Sequence, residues 1–74
     1  MSSVIVFIVH EAEEGGYWAC AVGHDIVTQG DNLEEIRANI REAVECHFDP
    51  DEPKPDIIKL HYIREEVLAR ETSS

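Results

Sequence analysis

The sequence predicts an α+β fold in which one helix packs on one face of a small, mostly antiparallel sheet, in the order β-β-β-α-β, a reduced ribonuclease-H-like arrangement. Three observations carry this. Val4–Val9 is an unbroken β-branched and aromatic run, Gly15-Gly16 turns the chain into a second apolar run, and at Leu33 the apolar period changes from two to 3.6.

The first strand is predicted over Val4-Ile5-Val6-Phe7-Ile8-Val9, closed by the polar stretch His10 to Glu14. Gly15 and Gly16 adopt positive φ at little steric cost, and Tyr17-Trp18-Ala19-Cys20-Ala21-Val22 resumes the apolar pattern, so the two runs read as a hairpin. Gly23-His24-Asp25 breaks that pattern. Ile26-Val27-Thr28 then suffices for a short third strand before Gln29-Gly30 turns the chain.

From Leu33 onward, Leu33, Ile36, Ile40, Ala43, Val44 and His47 fall on one face of a helix, while Glu34, Arg37, Arg41, Glu42 and Glu45 point away. Two overlapping capping boxes mark its start, Asp31 with Glu34 and Asn32 with Glu35, with Asn32 the preferred cap. Arg41 and Glu45 are spaced for an i,i+4 ion pair on the solvated face. Pro50, Pro53 and Pro55 end the helix and hold an acidic extended loop. Ile57–Ile63 reads as the final strand, Arg64–Arg70 fits either strand or helix, and Glu71–Ser74 reads as a frayed end.

A chain of 74 residues is a single domain, residues 1–74, and at this length buries only roughly 60% of the surface it exposes unfolded. One helix covers one sheet face, yet the first strand is apolar on both, with Val4, Val6 and Ile8 opposite Ile5, Phe7 and Val9. A homodimer or higher homo-oligomer, packed through the uncovered face or edge, is the expected remedy.

Sixteen acidic against six basic residues give a formal charge of −10, which opposes direct nucleic-acid binding and favours a basic protein partner. The longest apolar run, Val4–Val9, is far shorter than the ~20 residues a membrane helix needs, and no signal-peptide pattern precedes it. A cytoplasmic protein without membrane contact is expected. Cys20 and Cys46 then read as small buried thiols rather than a disulfide.

Glu14-Gly15-Gly16-Tyr17-Trp18, Thr28-Gln29-Gly30-Asp31-Asn32-Leu33-Glu34-Glu35 and Asn39-Ile40-Arg41-Glu42-Ala43 follow one another in an order that resembles the HicB antitoxin family. The resemblance spans about residues 4 to 63. It implies the β-β-β-α-β fold and a role in neutralising a small RNA-cleaving toxin, HicA, by direct binding. Gly23-His24-Asp25-Ile26-Val27 departs from the Pro-Gly-Cys-like segment common in that family, so the loop geometry is not carried over. Many members also continue into a DNA-binding domain that these 74 residues do not contain, so transcriptional self-control is not expected of them.

The residues assigned to partner binding are Glu11, Glu13, Glu14, Tyr17 and Trp18; Gly15, Gly16, Gly30, Asp31 and Asn32 are assigned to turns and the helix cap. Trp18 has two readings, packing in a core or dimer and anchoring a partner, with Tyr17 on the opposite side of the strand. No enzyme, cofactor or metal is expected. The strand interiors offer no converging carboxylates for a two-metal nuclease, and His10, His24, His47, His61, Cys20 and Cys46 lack zinc-ligand spacing. Neither cysteine sits at a nucleophile turn. The alternative to the antitoxin-type binding module is a partnerless oligomeric domain, small-molecule-sensing or structural.

Overall fold

The elements β1 (Val4–Glu11), β2 (Tyr17–Ala21), β3 (Val27–Gly30), α1 (Leu33–His47) and β4 (Ile57–Ile63) follow one another along the chain, in a computed structural model that describes residues 3–64 and 68–70. The strands form one sheet in the order β3-β2-β1-β4, so the sequence order β-β-β-α-β and the α+β class are those the patterning predicts. β1 pairs antiparallel with β2, β2 antiparallel with β3, and β1 parallel with β4. The parallel pair is the reason a helix is needed between β3 and β4, because a tight turn cannot return the chain in the same direction.

The register divides the sheet into two unlike faces. Ile5, Phe7 and Val9 share one face with Ala19, Ile58 and Leu60, and that face meets Ile36, Ile40 and Val44 of α1. All of these but the half-buried Ile58 and Leu60 lose almost all contact with water; Phe7, Ala19 and Ile36 are fully buried. The opposite face carries Val4, Val6, Ile8 and His10 of β1, Trp18 and Cys20 of β2, Val27 and Gln29 of β3, and Ile57, Lys59, His61 and Ile63 of β4. No helix lies on it among the described residues.

Hydrogen bonds fasten the helix over its face. Asn32 Oδ1 accepts from the Glu35 amide at 2.8 Å, so Asn32 rather than Asp31 is the N-cap. Asn39 Nδ2 donates to the Gln29 carbonyl at 2.7 Å, joining α1 to β3, and Arg37 Nε donates to Tyr62 Oη at 3.2 Å, joining α1 to β4. At the far end the Ser3 carbonyl accepts from both Asp56 and Ile57 amides, which starts β4 beside β1.

Several local expectations are corrected. β1 runs on through His10 and Glu11, which pair with Trp18 and Tyr17 instead of closing the strand. Val22 leaves β2 for a turn, its amide donating to the Val6 carbonyl. The third strand begins at Val27 and includes Gln29 and Gly30, assigned by the sequence to a turn; the turn falls at Asp31-Asn32, because Gly30 pairs with Tyr17 and passes beneath the helix.

His47 is exposed rather than part of the buried face, since its ring sits against His24 and Phe48 at the helix end, beyond Val44, the last helical residue buried in the core. Glu45 accepts from Lys54 Nζ at 2.7 Å rather than pairing with Arg41, the proline loop having brought the lysine back onto the helix. Both cysteines are free, but neither is buried: Cys20 is half-buried on the uncovered face and Cys46 is exposed on the helix. The strand-or-helix question at 64–70 falls partly on residues 65–67, outside the described residues, as does the expected fray at 71–74; Arg64 and residues 68–70 belong to no element. No helix among the described residues is long and apolar enough to cross a membrane.

Candidate functional site

The hairpin between β1 and β2 is closed by the Ala12 amide donating to the Gly16 carbonyl at 3.0 Å and the Gly15 amide to the Ala12 carbonyl at 3.1 Å. Gly16 has φ +81°, and a Cβ on it would lie 2.9 Å from the Gly30 carbonyl oxygen, so only glycine fits where the hairpin passes the end of β3. This turn sets Glu13 and Glu14 at the tip and brings His10 into register with Trp18.

His10 and Trp18 stack across the two strands with ring centroids 4.0 Å apart and planes 8° from parallel. With Glu11, Ala12, Glu13, Glu14 and Ile63 they line an open cleft of about 460 Å³ at the hairpin end of the sheet. Trp18 keeps 40% of its surface exposed and Ile63 keeps 47%, so the cleft has an aromatic and aliphatic floor. Its acidic wall is solvated: Glu11, Glu13 and Glu14 are exposed, and among the described residues no cation pairs with them. Such a site matches the side chain of arginine or lysine, whose head meets carboxylates while the planar or aliphatic part lies on the indole.

The structure therefore brings together Glu11, Glu13, Glu14 and Trp18 of the residues that the sequence assigns to partner binding. Tyr17 stands apart. It faces the helix side, half-buried against the core, and lines an adjoining depression of about 350 Å³ with Gly30, Asp31 and Glu35, to whose edge Trp18 also contributes. His10 and Ile63 complete the cleft without being marked by the sequence. His10 is recoverable from hairpin register, because fixing the turn at Gly15-Gly16 places it beside Trp18; Ile63 depends on the long-range parallel pairing His10↔Ile63.

Elsewhere, His24, His47 and Phe48 form an edge-to-face aromatic cluster, the two histidine rings 5.8 Å apart. Among the described residues no three His, Cys, Asp or Glu side chains converge as metal ligands would. A smaller groove of about 280 Å³ between α1 and β4 is lined by Arg37, Ile40, Arg41, Asp56, Ile58 and Leu60.

Over 65 residues, 88% of this chain and 90% of the relative, the sequence is 40% identical to a UPF0150 protein of Thermotoga maritima. It is 46% identical over 48 residues, 65% of this chain and 71% of the relative, to a UPF0150 protein of Archaeoglobus fulgidus. No family model matches the chain, and no solved structure does.

Proposed function

The chain belongs to the UPF0150 family, and from that premise we propose that it is a HicB-like, antitoxin-type binding module that captures a small basic RNA-cleaving protein. The observation that carries the proposal is the cleft at the hairpin end, which Glu11, Glu13 and Glu14 line together with the exposed Trp18. Uncompensated carboxylates beside an aromatic anchor suit an Arg- or Lys-bearing partner, and the formal charge of −10 speeds its approach at low salt. The ordered resemblance of residues 4 to 63 to HicB proteins supports the class of partner.

In this reading the module acts by occupation rather than chemistry. The partner's cationic surface, which an RNA-cleaving protein uses against phosphates, is covered by carboxylates and held by apolar contact with Trp18 and Ile63. The test is a low-salt pull-down from native-cell extract, with mass spectrometry of the proteins released by salt and an RNA-cleavage assay on them. The expected result is a small basic ribonuclease that this chain inhibits and that a Trp18→Ala chain no longer retains. Retention of no ribonuclease, or equal retention by both chains, overturns the proposal.

A further inference from the structure

We propose that the β4 edge of the sheet, with α1 beside it, is a second docking surface, one that takes an extended acidic peptide as an added strand. The chain's cations lead there. None of its six Lys and Arg residues precedes Arg37, and five of them, Arg37, Arg41, Lys54, Lys59 and Arg64, lie on α1, in the loop before β4, on β4 or directly after it.

β4 is seven residues long and ends the sheet, so its outer N–H and C=O groups are open to a further strand. The other edge is less open, because β3 has four residues and its Gln29 carbonyl already accepts from Asn39. α1 runs antiparallel to β4, since Arg37 meets Tyr62 near the strand's end and Glu45 meets Lys54 ahead of its start. Between these contacts lies the groove of about 280 Å³, floored by the half-buried Ile58 and Leu60. Through Arg41, Asp56 and Ile58 it continues into a second hollow of about 490 Å³ toward Lys54. These residues stand on the helix side of the sheet, whereas Trp18 and Ile63 of the hairpin-end cleft face the open side.

Charge and spacing select the occupant. Arg37 and Arg41 are like charges four residues apart, an arrangement that weakens a helix rather than strengthening it. Among the described residues neither forms an ion pair, although Asp56 shares their groove. Tyr62 Oη accepts from Arg37 Nε at 3.2 Å, which orients the guanidinium and leaves its two terminal nitrogens to grip a carboxylate. Four residues of helix advance about 6 Å, and two residues of strand advance about 6.6 Å. An added strand with acidic side chains two residues apart therefore sets one carboxylate at each arginine, both on the helix side. A second copy pairing edge to edge through β4 is disfavoured by the same geometry, because it brings its own Arg37 and Arg41 to the seam, like against like.

The test uses the full chain, isotopically labelled, at about 0.15 M salt, where repulsion between its net negative charge and an acidic peptide is screened within about 8 Å. Two eight-residue peptides of Thr, Val and two Glu are compared, alike in composition, one with its glutamates two positions apart and one with them adjacent. The first should move the amide resonances of residues 57–62 saturably and slow their exchange with solvent, leaving Glu13–Gly16 at the hairpin tip unmoved. The second turns one glutamate to the opposite face and should bind about threefold more weakly. Arg37→Gln with Arg41→Gln, both exposed, removes two ion pairs and should weaken the first peptide about tenfold. A melt verifies that this variant folds; Arg41→Gln alone, which breaks no hydrogen bond among the described residues, should lose about threefold and serves if it does not. Equal affinity for the two peptides, indifference to the arginine variants, or shifts confined to other elements overturn the proposal. So does an edge already held by a second copy, seen as a dimer in sedimentation whose β4 amides neither peptide reaches.

Discussion

A Cβ placed on Gly30 would come within 2.7 Å of the Ile36 amide nitrogen and 2.9 Å of its Cα, so the first turn of α1 rests on the last residue of β3 with no room for a side chain. Both neighbours are backbone, and neither can swing aside as a flexible side chain could. Ile36 is the fully buried residue that this approach seats against the sheet.

Gly30→Ala should therefore lift the helix off β3 and strain the Asn39 hydrogen bond to Gln29. Overpacking of this kind costs about 1–3 kcal/mol, and because the obstruction is backbone the upper part of that range is expected. For a domain of this length the melting midpoint should fall by roughly 10 °C or more. A thermal melt followed by circular dichroism checks it, and an unchanged midpoint would mean that the helix does not sit where it is described.

The two candidate caps separate by mutation. Asn32 Oδ1 accepts from the Glu35 amide, whereas no hydrogen bond to the Asp31 side chain occurs among the described residues. Asn32→Ala should cost about 1 kcal/mol, while Asp31→Ala should change stability by less than about half that. Urea titrations of the two variants side by side give the answer, and equal losses would contradict the assignment of the cap.

Phe7 is fully buried at the centre of β1, between Ala21 and Leu60 in the register and beneath the helix. Phe7→Ala removes about 3–5 kcal/mol, against a total of roughly 4–11 kcal/mol expected for a chain of this length. The variant should be largely unfolded or poorly cooperative near 37 °C, while Phe7→Leu, which keeps most of the volume, should still melt cooperatively. Near-ultraviolet circular dichroism and the steepness of the melt distinguish the two.

How much of this was legible in the sequence depends on the range of the interaction. β4 and α1 coincide with Ile57–Ile63 and with a helical period beginning at Leu33, because each pattern is local and unbroken. The bounds of β3 were not legible: Gln29-Gly30 has the chemistry of a turn, and only the tertiary demand that a helix cross Gly30 closely makes it the end of a strand. His47 follows the helical period, yet periodicity cannot tell how far the sheet extends beneath the helix. The acidic wall of the cleft was visible as charge and Trp18 as an aromatic, but Ile63 joins them through a parallel pairing some fifty residues away in sequence, which no local pattern encodes.

Trp18 is the sole tryptophan of the chain, so intrinsic fluorescence reports on the hairpin end of the sheet. Titration with an arginine-rich peptide at low salt should change its emission saturably, because a guanidinium drawn in by Glu11, Glu13 and Glu14 comes to lie on the exposed indole. Added salt should weaken this binding. Reversing two exposed charges together, Glu13→Lys with Glu14→Lys, exchanges two attractions for two repulsions. At a few tenths of a kcal/mol for each exposed contact this amounts to about tenfold in affinity. Neither glutamate is buried or paired among the described residues, so the double variant should melt as the parent does. An emission change that is indifferent both to salt and to the double reversal would show that the peptide does not use the acidic wall.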